Sequence, residues 1–405
     1  MIAEIFPSEA HGTVAAPPSK SMAHRLLLAA GLAEGRSVIT NLAQSSDVAA
    51  TVDCLNALGT TVQIHGDTAT VTGFDPTRRA SAATLPCRES GSTLRFLLPI
   101  GLLSEAPVTL TGTQKLLSRP LSIYADLCRA NGFLFEQTET SVTVRGPLTG
   151  GTFLFSGGVS SQFATGLLYA LPLCREDSEI RLLPPVESRS YIDLTLSALK
   201  AFGVEAGWAE ETTLRIPGGQ RFSPQKTEVE GDWSNAAFLE GLNLLGGNVT
   251  VTGLDESSLQ GDRVYRTHFA ALQSGSPVID LSDCPDLGPV LFALAGALHG
   301  ASFTGVERLR LKESDRVAAM REELWKFGVR TEADAHKLTV YPGLSAPTAR
   351  LSGHNDHRVV MADALLCAAV GGSIAGAEAV AKSFPDFFDR YRSLGVRINE
   401  LDQQQ

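Results

Sequence analysis

The chain has 405 residues, too many for one ordinary domain and comfortable for two. It is 43% hydrophobic and 19% charged; no apolar run is long enough to span a membrane and no signal peptide opens it, so a soluble, untargeted protein is expected. A formal net charge of −10 excludes general affinity for nucleic acid or membrane surfaces but leaves room for local basic pockets.

Residues 1–16 precede the first repeat and are free to pair elsewhere. Pro17 and Pro18 then stop the chain, and "SKSMAHR" (19–25) opens a helix that stays apolar as far as Gly35. Lys20 and Arg25 fall at the end where the helix amides are already positive, so they call for a neutralising partner. An amphipathic helix follows, "DVAATVDCLNALGTTVQI" (47–64), closed by Gly59, and then a β-branched run, "TATVTGF" (68–74).

The same succession recurs. A polar opening leads into a small-residue, nearly all-apolar helix at "ESGSTLR" (89–95), "SSQFATG" (160–166), "DWSNAAF" (232–238), "DCPDLGP" (283–289) and "NDHRVVM" (355–361). Helices apolar all round are buried, and a polar N-terminus on a buried helix points its free amides at something. Interleaved amphipathic helices end at Gly132, Gly203, Gly275, Gly328 and Gly395, each expected to adopt the left-handed cap. "SVTVRG" (141–146) and "KLTVYPG" (337–343) read as strands. The unit of strand, buried helix, strand, amphipathic helix and strand pair appears six times, at roughly 70-residue intervals. In the fourth unit "SPVIDLSDCPD" (276–286) has room for one strand where the others have a hairpin. Three units per domain put the seam near "PQKTEVEGDW" (224–233).

The chemistry concentrates at the helix openings. Lys20, Ser21 and Arg25 come from one, Ser160, Ser161 and Gln162 from another, His357 and Arg358 from a third. Serines and cations at helix N-termini make anion sites, above all for phosphate; ordinary capping explains any one of them, but not several carrying cations at the same place in a repeat. "RLRLKESDR" (308–316) is a second dense cluster, in which Ser314 and Asp315 fit a plain helix start while Lys312 and Arg316 do not. His354 and His357 have the spacing of a zinc pair, but no third ligand motif accompanies them and Arg358 would repel a metal. Lys382 and Arg119, taken alone, read as surface cations. The six cysteines form no C-x-x-C pair and read as reduced packing residues; only Cys87, beside Arg88, has a setting that could suit a reactive thiol. No Walker loop and no strand–G-x-G-x-x-G–helix is present, which disfavours a nucleotide.

In order, "PPSKSMAHR", "ESGSTLRF", "GGVSSQF", "SRSYID", "LKESDR", "NDHR" and "KSFPDFF" make the chain resemble the 5-enolpyruvylshikimate-3-phosphate synthase (3-phosphoshikimate 1-carboxyvinyltransferase) family from about residue 17 to the C-terminus. The resemblance implies an α/β, two-domain inside-out barrel of six βαβαββ units, three per domain. One lobe would span 18–229, and the other 1–17 plus 230–405, with the site in the cleft between them and a closing motion that dries it. It implies transfer of the enolpyruvyl group of phosphoenolpyruvate to the 5-hydroxyl of shikimate 3-phosphate, on the way to chorismate and aromatic amino acids, with glyphosate as an inhibitor. By the same resemblance Lys20, Ser21, Arg25, Ser160, Ser161, Gln162, Ser188, Asp286 and Lys312 contact shikimate 3-phosphate, and Tyr191 lies near its ring. Lys20, Gly91, Arg119, Gln162, Arg316, Arg358 and Lys382 contact phosphoenolpyruvate. Asp286 is the implied base and Glu313 the implied proton donor, with Lys20 holding the phosphate. No metal or organic cofactor is implied. The enzyme would be cytoplasmic and monomeric, its partners small anionic substrates rather than nucleic acid or membrane. Glu89 stands where many relatives carry Asn, and Arg308 where some do. The rival readings are the sister enzyme acting on UDP-N-acetylglucosamine, whose loop cysteine has no counterpart in "TGTQKLLSRP" (111–120), and a non-catalytic anion-binding module.

Overall fold

The computed structural model describes residues 1–402. The chain divides into two compact units, Pro18–Glu230 and Met1–Pro17 with the chain from Gly231 onward. The fold is the six-unit α/β architecture that the repeats imply.

Within Pro18–Glu230 each sheet has four strands built the same way. Ala83–Pro86 runs parallel to Val108–Thr111, which pairs antiparallel with Ser141–Arg145, itself antiparallel to Leu134–Gln137. Parallel neighbours need a crossover, and the buried helix Gly91–Gly101 supplies it. The amphipathic helix Ser122–Asn131 then leads to the hairpin. Thr152–Ser156, Ser178–Leu183, Thr213–Ile216 and Gly207–Glu210 repeat the pattern around the helices Ser161–Ala170 and Arg189–Ala201. In the first sheet the parallel partner of Gly35–Thr40 is Lys226–Glu228, so the segment leaving this unit closes the sheet begun on entering it.

The buried helices earn that description. Every residue of Lys20–Leu32 from Met22 on is buried, as is every residue of His357–Val370 up to Ala368. Each buried leucine contributes about 1.5–3 kcal/mol of hydrophobic stabilisation, so neither helix can turn a polar face outward without large loss. Gly166 lets Ser161–Ala170 come close to Gly91–Gly101: a Cβ there would lie 2.4 Å from the Arg95 carbonyl oxygen. Tyr124 fastens the same two helices by donating to the carbonyls of Arg95 (2.8 Å) and Phe163 (3.1 Å).

In the other unit, Val278–Asp280, Ala301–Thr304, Lys337–Val340 and Thr331–Ala333 repeat the four-stranded pattern. Leu351–Ser352 and Gly372–Ala375 are completed by Ile2–Phe6, which sits between Gly372–Ala375 and Arg397–Leu401. The fourth repeat makes only a two-stranded sheet, Asn248–Thr252 parallel to His11–Ala15. The single strand expected within 276–286 exists but belongs to the next sheet, because the chain between Ser274 and Pro285 is too short to make a hairpin first. Gly59, Gly132, Gly203, Gly328 and Gly395 have the left-handed φ of a helix cap. Gly275 does not: at φ 163° and ψ −151° it leaves its helix extended.

Candidate active site

In the Pro18–Glu230 unit, Ser19 caps the helix Lys20–Leu32 by accepting from the Met22 amide at 3.3 Å, which puts Lys20 in the first turn. The Lys20 ammonium lies 2.9 Å from Asp47 Oδ2. Asp47 occupies the first turn of the helix Ser46–Leu58, a place the dipole favours for an acid. One of the two cations that the sequence leaves without a counter-charge therefore has one built in. Arg25 does not. Its guanidinium donates to Thr195 Oγ1 (3.0 Å) and to the carbonyls of Ser21 (2.7 Å) and Tyr191 (2.8 Å), all uncharged. It also lies over the rings of Phe96 and Tyr191. Burial lowers its pKa, so the guanidinium is held at a cost that an anionic ligand would relieve.

His24, between these cations, is kept neutral: burial first, then Lys20 and Arg25, push its pKa well below 6.5. Its Nδ1 meets Thr51 Oγ1 at 2.7 Å, Thr51 meets Thr93 at 2.7 Å, and Thr93 donates to Ser90 Oγ at 2.7 Å. This chain of hydrogen bonds ties three helices to one another.

Ser90 caps Gly91–Gly101 and Ser160 caps Ser161–Ala170, with Ser161 itself buried. Gln162 joins them: its Oε1 accepts from Arg95 Nη1 at 2.7 Å and its Nε2 donates to Ser92 Oγ at 3.0 Å. Arg119 covers the Gly91 backbone so closely that a Cβ on Gly91 would sit 2.5 Å from Arg119 Nη1. The Arg119 Nε is buried and donates to nothing among the described residues. Ser188 is buried at φ 54°, immediately before the helix that carries Tyr191.

In the other unit, a charge cluster gathers on Asp286, which lies in a 3-10 turn (Pro285–Leu287) just ahead of the helix Gly288–Ala297. Asp286 Oδ1 accepts from Lys312 Nζ at 3.1 Å and Arg316 Nη1 at 3.0 Å, and Oδ2 accepts from Arg358 Nη2 at 3.0 Å. Arg316 also donates from Nη2 to Glu313 at 2.8 Å and from Nε to Asp356 at 2.9 Å. Burial works against its charge, but Asp356, Glu313 and Asp286 outweigh it and its pKa rises. That explains a cation in the first turn of the helix Arg316–Lys326, which Asp315 caps. Asp356 caps His357–Val370 through the Arg358 amide and also accepts from Ser314 at 2.9 Å. Burial opposes its ionisation, yet Arg316 brings its pKa down. Lys312 goes the other way: burial, only partly opposed by Asp286, lowers its pKa. Lys382 donates to the Asn355 carbonyl at 2.8 Å, beside the turn where His354 and Asn355 both have positive φ.

Asp47, Ser92, Arg95, Ser234 and Asp356 are the residues that sequence reasoning did not assign. Ser234 accepts from Arg358 Nη2 at 2.9 Å. Among the described residues the histidine pair shares no grouping of metal-ligating side chains. His354 joins Glu322 and Glu323 in a three-ligand grouping without His357, and the Lys326 ammonium, 2.9 Å from Glu323, already supplies its positive charge.

The sequence profile of the family described as EPSP synthase (3-phosphoshikimate 1-carboxyvinyltransferase) matches residues 6–391. A protein of Clostridium kluyveri named 3-phosphoshikimate 1-carboxyvinyltransferase is 36% identical over 417 residues, covering 98% of each chain. One of the same name from Clostridium novyi is 37% identical, again over 98% of each. Among solved structures, an EPSP synthase of Acinetobacter baumannii superposes with a TM-score of 0.77 at 22% identity, over 98% of this chain and 100% of that one. The enolpyruvyl transferase NikO of Streptomyces tendae gives 0.76 at 16% identity, over 98% of each. At such identities the structural likeness speaks for the fold alone.

Proposed function

The chain belongs to the EPSP synthase family, and from that premise we propose how its residues divide the labour of the reaction. The enzyme transfers the enolpyruvyl group of phosphoenolpyruvate to the 5-hydroxyl of shikimate 3-phosphate and releases phosphate. Both substrates are small, dense anions, and they answer the demand of the Arg25 guanidinium for negative charge. Arg25, Lys20, Ser21, Ser160, Ser161, Gln162, Ser188 and Lys312 hold shikimate 3-phosphate, with Tyr191 beside its ring. The Gly91 backbone, Arg119, Arg316, Arg358 and Lys382, again with Lys20 and Gln162, hold phosphoenolpyruvate.

The enol phosphate carbon of phosphoenolpyruvate is a poor electrophile until its methylene takes a proton, so the reaction needs an acid and a base with cations to carry the developing charge. The observation that carries this reading is that one buried guanidinium, Arg316, binds Asp286 with Nη1 and Glu313 with Nη2. The two carboxyl groups thus flank a single cation, Asp286, ionised, as base to the 5-hydroxyl and Glu313, in the form that carries a proton, as donor to the methylene. Both Asp286 oxygens already accept from cations, so the hydroxyl gains its acceptor as phosphate and carboxylate draw Lys312, Arg316 and Arg358 toward themselves.

No helix among the described residues is long and apolar enough to cross a membrane; on this reading the enzyme works in the cytoplasm, as a monomer. The test is phosphate release by purified protein from phosphoenolpyruvate with and without shikimate 3-phosphate. Release only with both is expected. Release without shikimate 3-phosphate, or only with UDP-N-acetylglucosamine, overturns the assignment.

A further inference from the structure

Two of the six cysteines stand side by side. Cys54 lies on the helix Ser46–Leu58, and Cys87 lies one residue past the strand Ala83–Pro86. Their sulfurs are 4.0 Å apart, and neither residue exposes any surface. The adjacent residues of the same two segments, Asp53 and Arg88, form an ion pair with side chains 41% and 49% exposed. A buried thiol pair and an exposed ion pair therefore link one helix to one turn at consecutive positions. An ion pair so open to water contributes only about 0–1 kcal/mol to holding the two segments together. Arg88 has φ 55°, a left-handed conformation that disfavours a residue with a side chain. Among the described residues no other two cysteines approach within hydrogen-bonding distance of each other.

We propose that Cys54 and Cys87 are an oxidation site, joined into a disulfide by an oxidant of the peroxide class, and that the bond reversibly weakens use of phosphoenolpyruvate. Cys87 attacks first. Its thiolate takes one peroxide oxygen, the O–O bond breaks, hydroxide leaves and Cys87 becomes a sulfenic acid. Hydroxide takes the Cys54 proton, and the Cys54 sulfur displaces a second hydroxide from the sulfenic sulfur to form S–S. In sum two S–H bonds become one S–S bond, and one hydrogen peroxide becomes two waters. Cys87 is given the first step because it lies in the turn past a strand end, next in the chain to the exposed Arg88, whereas Cys54 is held within a helix.

The effect on activity rests on the roles proposed above for Gly91 and Arg119; the cross-link does not. A disulfide needs the sulfurs about 2 Å closer than they stand. Cys87 cannot move alone, because its carbonyl accepts from the Ser90 amide at 2.9 Å and the Arg88 carbonyl accepts from the Thr113 amide at 3.0 Å. Ser90 caps the helix whose first residue, Gly91, lies against Arg119. Drawing the Cys87 backbone toward Cys54 therefore pulls on the start of the helix against which Arg119 lies.

The experiment treats the full-length protein with a modest excess of hydrogen peroxide, alkylates the remaining thiols under denaturing conditions and maps peptides without reduction. Expected are a loss of two of the six thiols, a mass lower by about 2 Da, and one linked peptide joining Cys54 to Cys87. Phosphate release at subsaturating phosphoenolpyruvate should fall several-fold and return with dithiothreitol. Cys54→Ser should keep its activity through the same treatment. A full complement of thiols, linkage to any other cysteine, or Cys87 driven to sulfinic acid without linkage overturns the site. A linked peptide with unchanged phosphoenolpyruvate kinetics overturns its effect on the enzyme. The mass measurement on the unaltered protein decides the site even if Cys54→Ser folds poorly, and activity measured before oxidation tests the enzymatic assignment separately.

Discussion

Asp286 Oδ1 lies 3.0 Å from Arg316 Nη1 and 3.1 Å from Lys312 Nζ, while Oδ2 of the same carboxylate lies 3.0 Å from Arg358 Nη2. The proposed base therefore also serves as the shared counter-ion of three cations. The two roles respond differently to loss of its charge. Asp286→Asn keeps the shape, removes the base and frees the cations for substrate. Steady-state kinetics should show kcat lower by about 10²–10⁴-fold, the usual contribution of general acid–base catalysis, with KM for shikimate 3-phosphate unchanged or lower. A higher KM at unchanged kcat would make Asp286 a positioning residue.

On the proposed assignment, Lys312 should set the alkaline limit of shikimate 3-phosphate binding. Burial lowers its pKa from 10.5, with Arg316 and Arg308 adding to the effect against the pull of Asp286. The charged form, which binds the anion, exists below that lowered value and is lost as pH rises through it. KM for shikimate 3-phosphate should therefore climb at a pH below 10.5. Lys312→Arg, whose guanidinium stays protonated, should flatten the climb. The same alkaline rise in both proteins would place the titration elsewhere.

Gly91→Ala tests the contact between the helix start and Arg119. The new Cβ would lie 2.5 Å from Arg119 Nη1, the far end of a flexible side chain. Arg119 gives way while the backbone stays, so the urea midpoint should hold. KM for phosphoenolpyruvate should rise about tenfold, the effect of roughly 1.4 kcal/mol of lost binding, with KM for shikimate 3-phosphate unaffected. Inhibition by glyphosate, expected at the same place, should weaken in parallel. An unchanged KM for phosphoenolpyruvate would remove Arg119 from the site.

The six buried helices were legible because a run such as "LLLAAGL" (26–32) has no side left for water. The short fourth sheet was legible as a shortage of residues before Pro285. What stayed hidden was non-local or ambiguous in chemistry. Asp47 reads as an ordinary first-turn acid, and nothing in the letters ties it to Lys20 on another helix. Asp356 sits within "NDHR", but its bond to Arg316 crosses 40 positions. Gly275 looked like the other closing glycines because glycine tolerates the extended and the left-handed backbone alike. Family resemblance implied only that residues 1–17 belong with the second lobe; the pairing of Ile2–Phe6 with Gly372–Ala375 stayed hidden, since a strand's own sequence does not say which distant edge it completes.

Asp363 gives a prediction about stability rather than catalysis. It lies in the middle of the helix His357–Val370 with no exposed surface, and neither carboxyl oxygen has a hydrogen-bond partner among the described residues. The charged groups that face it are Glu323 and Lys326 of the helix Arg316–Lys326, and the Cys367 thiol is a neighbour on its own helix. Burial first, then Glu323, raises its pKa well above 3.8, and Lys326 opposes them without prevailing. Between 3.8 and that raised value the folded protein holds a proton that the unfolded chain has released. Its contribution to stability is therefore complete below 3.8 and drains away as pH rises, by about 1.4 kcal/mol per pH unit while the window lasts. Asp363→Asn has no such proton to hold. Urea unfolding should find the variant more stable than the parent at pH 7, with the advantage shrinking toward pH 4. An equal advantage at both pH values would assign the gain to packing, and none at pH 7 would mean that the carboxyl is ionised and compensated in the fold.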